Sequence, residues 1–170
     1  MKNDVDLSNF SDEKERSAAY FKGAQSKDDV RKVLRRQVEL EIPKGLSRKA
    51  RKVAIAIRDM VVDYQMAGME KPESGWENIF TDGYVSTIGG SKAFYHPKDY
   101  SPGEGLTTQN DWKKYSISLH VVYDGGLLHD MLSSYSYGHY RNELDSIIKG
   151  IDEYMYYEDY ANWAGSLVED

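Results

Sequence analysis

The sequence feature that most constrains the fold is residues 113–126, KKYSISLHVVYDGG. Apolar or aromatic side chains alternate with mostly polar ones in the order Tyr115, Ser116, Ile117, Ser118, Leu119, His120, Val121, Val122, Tyr123. A period of two residues with β-branched and aromatic side chains predicts a strand with one buried face. We therefore expect the odd-numbered side chains to lie in the core and His120 to lie on the polar side with Ser116 and Ser118.

This strand needs neighbouring strands and a covering helix. Two short β-like runs, 84–88 and 92–96, flank Gly89 and Gly90 and predict a hairpin. Because three strands are stable only when their apolar face is covered, we expect an amphipathic helix over residues 139–157 to pack on the sheet. Its apolar stripe is Leu144, Ile147, Ile148, Ile151 and Met155.

The first part of the chain predicts helices. Ser11, Ser26 and Ser47 each stand where an N-cap is expected. The third helix runs to about residue 68, with an apolar stripe of Ala50, Val53, Ala54, Ile57, Val61 and Tyr64. The fold class predicted is α+β in one domain: a polar tail at 1–10, a basic helical part at 11–68, antiparallel β at 76–126, and an acidic, tyrosine-rich helical part at 127–170.

Composition excludes several kinds of site. The chain has no cysteine, which rules out disulfides, thiolate metal sites and thiol nucleophiles. No run of about 18 apolar residues occurs, and the N-terminus lacks the apolar core of a signal peptide. We therefore expect a cytoplasmic protein that does not enter the membrane, in the host-cell cytoplasm if the source is viral.

Charge is distributed unevenly along the chain. Residues 22–58 hold twelve basic and four acidic side chains, whereas residues 59–170 hold seven basic and nineteen acidic ones. The candidate binding residues for nucleic acid or an acidic partner are Arg31, Lys32, Arg35, Arg36, Arg48, Lys49, Arg51, Lys52 and Arg58. Four of these crowd the start of the third helix, where the helix dipole repels cations. Either an external polyanion or the protein's own acidic half must compensate them.

The acidic half is rich in tyrosine, a residue favoured at interfaces. An alternative binding surface is therefore Asp152, Glu153, Tyr156, Tyr157, Glu158, Asp159 and Tyr160. Carboxylates spaced along a helix can imitate phosphates, so this surface would suit a decoy that inhibits a nucleic-acid enzyme. The competing interpretation is that several of these tyrosines are core residues and the acids are merely solvated.

The histidines offer only weak chemistry. His139 and Glu143 stand four residues apart on a predicted helix, a spacing that can present two ligands to one metal. No metalloprotease or catalytic-triad signature accompanies them, so we expect no metal, no cofactor and no catalysis.

The sequence predicts a non-enzymatic interaction protein whose basic helical face contacts nucleic acid or an acidic partner. Two alternatives stay open: the acidic decoy, and an assembly subunit whose basic and acidic poles join neighbouring copies. Self-association or a protein partner is expected in either case, nucleic acid is a possible partner, and the small size suits a phage or mobile element.

Overall fold

The computed structural model describes residues 21–67, 69–71, 73–76, 93–99, 113–122, 126–132, 139–161 and 164–169. Within these ranges, the side chains of 36–41, 126–127, 139 and 160–161 are not described. The tail at 1–10, the predicted helix from Ser11 up to residue 20 and the first strand of the predicted hairpin lie outside the described residues.

The described residues form helices and an antiparallel sheet, so the α+β class is confirmed. The helices are α1 (Lys27–Glu41), α2 (Arg48–Ala67), α3 (Gly126–Leu132) and α4 (His139–Ile151). The strands are β1 (Phe94–Tyr95), β2 (Ile117–Val122), β3 (Met155–Ala161) and β4 (Ala164–Glu169), and a short 3-10 turn covers Pro97–Asp99. No helix within the described ranges is long and apolar enough to cross a bilayer.

Serine caps set the starts of α1 and α2. The Oγ of Ser26 accepts a hydrogen bond from the Asp29 backbone N–H at 3.1 Å, and the Oγ of Ser47 accepts one from Ala50 at 3.0 Å. Each bond satisfies a donor that has no partner inside the helix. Gly45, at φ 83°, turns the chain between the two helices. Both predicted helix starts are confirmed.

Helix α2 is the centre of the core. Its buried side chains share one hydrophobic cluster with Val30 and Leu34 of α1, Leu119 of β2 and Leu144 of α4. They are Ala50, Val53, Ala54, Ile57, Met60, Val61, Val62 and Met66. One residue of the predicted stripe departs from it, because Tyr64 is 45% exposed and meets the ring of Tyr140 edge-on at 5.5 Å. The first turns of α2 are therefore held rigidly while their charged side chains face outward.

The sheet has the order β1-β2-β4-β3, with every neighbouring pair antiparallel. Directly paired residues face the same side, so one face carries Leu119, Leu167 and Tyr157, all buried. The other face carries His120 and Ser166, and these too are buried. His120 does lie opposite Leu119 as the alternation predicts, but the prediction of only one buried face is wrong at this position.

The alternation also breaks at the start of β2. The register shifts between Ile117 and Leu119, so Ile117 pairs with Val168 while Leu119 pairs with Leu167. Just before this bulge Ser116 has φ 55°, a left-handed conformation that interrupts the extended backbone. Tyr115, predicted to be buried, therefore lies outside the strand and is 49% exposed.

The largest correction concerns the C-terminal part. The prediction of helix to residue 157, and of a helical part extending to 170, is wrong, because α4 ends at Ile151 and residues 155–169 contain β3 and β4. Asp152 turns the chain: its Oδ1 accepts the Tyr154 N–H at 3.0 Å and its carbonyl accepts the Met155 N–H at 3.2 Å. An aspartate that bonds the backbone two residues on favours a turn over another helical turn.

One arginine ties α4 to β3. Arg141 donates to the Tyr157 carbonyl and to Oδ2 of Asp159, both at 2.8 Å, and its guanidinium carbon lies 4.5 Å from the Tyr157 ring centroid. Its Nε also donates to Asp145 at 3.3 Å. These contacts join the start of α4 to β3.

Candidate nucleic-acid interface

The arginines of α1 face the aspartates of α2. Arg31 lies 3.0 Å from Asp28 and 3.8 Å from Asp63, and Arg35 lies 3.4 Å from Asp59. Because the residue numbers rise on one helix as they fall on the other, α1 and α2 run antiparallel as a helical hairpin. Arg31 and Arg35 are thus neutralised by the protein's own carboxylates, which removes them from a free basic face.

The other candidates beyond the start of α2 add little to such a face. Arg58 is mostly covered, with its side chain 12% exposed, and lies 3.0 Å from Asp59. Lys32 is exposed on α1, and the side chain of Arg36 is not described. The arginines outside the start of α2 whose side chains are described therefore all lie beside aspartates.

The first turns of α2 are different. Arg48, Lys49, Arg51 and Lys52 are all exposed. Lys49 forms an ion pair with Asp152 from the turn before β3. The hydrogen bond and charge of Asp152 raise the pKa of Lys49, while the same hydrogen bond lowers the pKa of Asp152. Lys49, among the four crowded cations, is therefore compensated from within the chain.

A second carboxylate from the acidic half reaches the same helix end. The Ser47 hydroxyl donates to Oε1 of Glu169, at the end of β4, at 2.5 Å. A carboxylate at a helix N-terminus is stabilised by the helix dipole. The basic and acidic parts, which are far apart in sequence, thus meet in space, and part of the attraction expected between neighbouring copies is satisfied inside one chain.

A cleft opens beside this helix end, with a volume of about 510 Å3. The cleft is lined by residues 45–47, which lead into α2, and by His96 and Pro97. Lys113, residues 116–118 and Glu169 complete the lining. Four segments of the chain therefore build one concave site that combines a cation, hydroxyl groups and a carboxylate.

His96 is held in place within this cleft as a neutral ring. Its Nδ1 accepts the Lys98 backbone N–H at 3.1 Å, and it also bonds the backbone of Gly45. Burial and the charge of Lys98 lower the pKa of His96. The ring joins the turn after β1 to the turn before α2, so it fixes the shape of the cleft.

The turn before β2 contributes Lys113 and Ser116 to the cleft lining and also carries an exposed aromatic ring. Lys113, Lys114 and Tyr115 are all exposed, and the Nζ of Lys114 lies 5.3 Å from the Tyr115 ring centroid. The turn is closed by a hydrogen bond from Ser116 N–H to the Lys113 carbonyl at 3.3 Å. Sequence reasoning missed these residues because it assigned Tyr115 to the core, although the run Lys-Lys-Tyr was the signal for them.

The alternative acidic surface is smaller than predicted. Asp152 and Asp159 are engaged by Lys49 and Arg141, and Tyr157 is buried. The side chain of Tyr160 is not described. Of the predicted set, Glu153, Tyr156 and Glu158 face solvent. Tyr154, which was not in that set, is exposed beside them.

The histidines do not build a reactive centre in the described part of the chain. Nδ1 of His120 lies 2.7 Å from the Ser166 Oγ, but the two residues are 1% and 0% exposed, so no substrate reaches them. Glu143 is exposed on α4, and the side chain of His139 is not described. Among the described residues no group of three or more histidine, aspartate or glutamate side chains is placed to hold a metal ion.

Comparison with protein families, with curated proteins and with solved structures finds no match for this chain.

Proposed function

We propose that the protein is a non-enzymatic interaction protein of the cytoplasm that binds a phosphate-bearing polyanion, namely nucleic acid. The binding surface is the start of α2, with Arg48, Arg51 and Lys52 as its contacts. Phosphate is the favoured partner group because arginine can donate two parallel hydrogen bonds to it.

One observation supports this proposal most directly. The chain uses its own carboxylates to pair Arg31, Arg35, Lys49 and Arg58, whereas Arg48 and Lys52 are exposed where the helix dipole disfavours cations. Arg48, Arg51 and Lys52 follow the i, i+3, i+4 spacing that places side chains on one helix face. An anion bound there would relieve both the mutual repulsion of these side chains and their repulsion by the dipole.

The size of this surface sets the expected affinity. Two or three phosphate contacts correspond to a slope of about −2 to −3 in a plot of log K against log salt for a duplex. Non-specific binding of this kind has a Kd of roughly 10⁻⁴–10⁻⁶ M at physiological salt. We therefore expect weak, strongly salt-dependent binding that tightens at low ionic strength.

The test compares two double variants that remove the same charge. In Arg48→Ala with Lys52→Ala, affinity for a generic duplex should fall, and the salt slope should decrease by about 2. In Arg31→Ala with Arg35→Ala, two cations are also lost, but from side chains already paired with aspartates, so the salt slope should stay the same.

Binding is measured by fluorescence anisotropy over a range of salt concentrations. If the wild-type protein binds no duplex at low salt, the proposal is wrong. If both double variants weaken binding equally, overall charge and not the start of α2 is responsible. Capture of an acidic protein instead of nucleic acid by the same surface would also overturn the proposal.

A second candidate function uses the solvent-facing side of β3. Tyr154 and Tyr156 are 67% and 47% exposed and are flanked by Glu153 and Glu158. Exposed tyrosines among carboxylates suit a protein interface, as in a decoy that competes with nucleic acid for a basic enzyme surface.

For the decoy, Glu153→Gln with Glu158→Gln should abolish competition with nucleic acid for the partner. Asp159→Asn is the control, because Asp159 is held by Arg141 and should matter for stability and not for competition. Equal competition by the wild type and the glutamine double variant would rule the decoy out.

A further inference from the structure

Two carboxylates of the acidic half lie where a bound phosphate would meet the start of α2. We propose that Asp152 and Glu169 act as an internal substitute for phosphate, so that Lys49 is an additional nucleic-acid contact which the folded chain keeps masked. The inference rests on the proposed function and concerns the regulation of that same surface.

Lys49 has the position of a phosphate contact. It stands in the first turn of α2, directly after Arg48 and three residues before Lys52, and residues three apart lie on one face of a helix. Its side chain is 49% exposed, yet its ammonium group is engaged in the ion pair with Asp152. Lys49 therefore belongs to the basic surface by position and is withdrawn from it by one carboxylate.

The backbone orients the carboxylate of Asp152. The residue lies in the turn between α4 and β3, where its N–H donates to the Ile148 carbonyl at 2.9 Å. Its Oδ1 accepts the Tyr154 N–H at 3.0 Å, which leaves Oδ2 to accept the hydrogen bond from Nζ of Lys49. The turn thus holds the carboxylate against the lysine from both sides.

Glu169 brings a second negative charge to the same place. It pairs directly with Met155 across β3 and β4, so it lies at the end of this hairpin that begins just after Asp152. Its side chain accepts the Ser47 hydroxyl, and its charge contributes to the raised pKa of Lys49. Its backbone N–H donates to the Ser116 carbonyl at 2.9 Å. The fold therefore anchors both masking carboxylates, Asp152 and Glu169, beside the cations of α2.

This anchoring decides whether a phosphate can reach Lys49. A phosphate that approaches the lysine also approaches the two masking carboxylates, and like charges brought together repel strongly. Because backbone hydrogen bonds hold these residues in place, they do not move aside. In the wild-type protein we therefore expect contacts from the rest of the surface, with Lys49 released only when the masking carboxylates lose their charge.

The experiment measures binding of a fluorescein-labelled duplex of mixed sequence to the full chain by fluorescence anisotropy, between about 50 and about 200 mM salt. Asp152→Asn with Glu169→Gln removes both charges but keeps side-chain oxygens that can accept the Tyr154 N–H and the Ser47 hydroxyl. The salt slope of this double variant should be steeper than that of the wild type by about 1. Its gain in affinity should therefore grow about 3-fold to 4-fold as the salt falls across this range.

Two controls isolate the role of Lys49. Glu70→Gln with Glu73→Gln removes two exposed carboxylates that follow the other end of α2, and should keep the wild-type slope although the net charge changes equally. Lys49→Ala added to the Asp152→Asn, Glu169→Gln variant should restore the wild-type slope. Lys49→Ala by itself should leave the wild-type slope unchanged, because the masked lysine makes no phosphate contact.

The outcomes separate this inference from the proposed function. A wild-type slope in the Asp152→Asn, Glu169→Gln variant, or a slope reduced by about 1 in Lys49→Ala alone, overturns the mask while leaving polyanion binding intact. Absence of duplex binding at low salt by both the wild type and the Asp152→Asn, Glu169→Gln variant overturns the proposed function and this inference together. A steeper slope that depends on Lys49 supports both.

Discussion

Burial of His120 makes stability depend on pH in a range where few other groups titrate. The ring is 1% exposed, its Nδ1 lies 2.7 Å from the Ser166 Oγ, and burial lowers the pKa of His120 to about 4. In the unfolded chain the same ring has a pKa near 6.5. Between these two values the unfolded state binds a proton that the folded state does not, so stability is lost as the pH falls from about 6.5 to about 4.

The magnitude follows from the shift. Each pKa unit corresponds to about 1.4 kcal/mol, so a shift from 6.5 to about 4 amounts to about 3 kcal/mol between neutral pH and pH 4. The slope within that range approaches about 1.4 kcal/mol per pH unit. A loss of this size is a large part of the total stability of a domain, which is about 5–15 kcal/mol.

The assay is urea denaturation followed by tryptophan fluorescence at several pH values from 7.5 to 4.5. His120→Gln removes the titrating ring, and its free energy of unfolding should fall less steeply with decreasing pH than that of the wild type. His129→Gln, which changes a half-buried histidine of α3, is the control for removing a histidine elsewhere in the chain. His96 has a lowered pKa as well and adds a contribution of the same sign, which cancels in this comparison.

The comparison uses only the slope of the free energy of unfolding against pH, because His120→Gln lowers stability at every pH by disturbing a buried contact. If the wild type and His120→Gln lose stability in parallel on acidification, His120 is protonated in the folded state and the reasoning is wrong.

Three further changes test the packing of the C-terminal hairpin and the start of α2. Gly165→Ala places a Cβ against the phenol oxygen and ring of Tyr157, so we expect the free energy of unfolding measured in urea to fall by about 1–3 kcal/mol. Gly150→Ala adds a Cβ where nothing lies within 4 Å, and should instead stabilise α4 by roughly 0.5–1 kcal/mol. Arg141→Ala removes three hydrogen bonds and a cation–π contact, and should cost about 2–4 kcal/mol, whereas Arg141→Lys should recover part of that loss. An effect below about 0.5 kcal/mol, as surface substitutions give, would contradict the tie between α4 and β3. Ser47→Ala removes the cap of α2 and should cost about 1 kcal/mol, while Ser47→Thr, which keeps the hydroxyl, should cost less.

Local signals in the sequence predicted the elements that depend on local contacts. The starts of α1 and α2 could be read from Ser26 and Ser47, because a cap needs only the next three residues. The alternation around Leu119 identified β2 for the same reason. Neither signal depends on which distant segment packs against the element, so tertiary structure did not override it.

The C-terminal hairpin could not be read in the same way. The apolar spacing from Leu144 to Ile151 continues to Met155, and this suggested one long helix. The deciding group is the side chain of Asp152, which bonds the backbone and reverses the chain. The strand signal was present in Met155 and Tyr157 alternating with Tyr156 and Glu158, but two short patterns competed and the helical one was longer.

The candidate site depends on long-range contacts that no local pattern contains. Charge counting found the basic side chains of α1, but only the antiparallel pairing of α1 and α2 shows that Asp59 and Asp63 neutralise Arg31 and Arg35. The cleft joins four segments from residue 45 to residue 169. Exposure of Tyr115 follows from the bulge in β2, and that bulge arises from pairing with β4, about 50 residues later in the chain.

The position of β4 also sets when the sheet can form during synthesis. β4 lies between β2 and β3, so no part of the described sheet other than the short β1–β2 pair can close before residues 164–169 have left the ribosome. Until then β2, with Leu119 and Val121, has an unpaired edge in a nascent chain whose helices α1 and α2 can already pair. We therefore expect this edge of β2 to be open to pairing with other chains until β4 is inserted beside it.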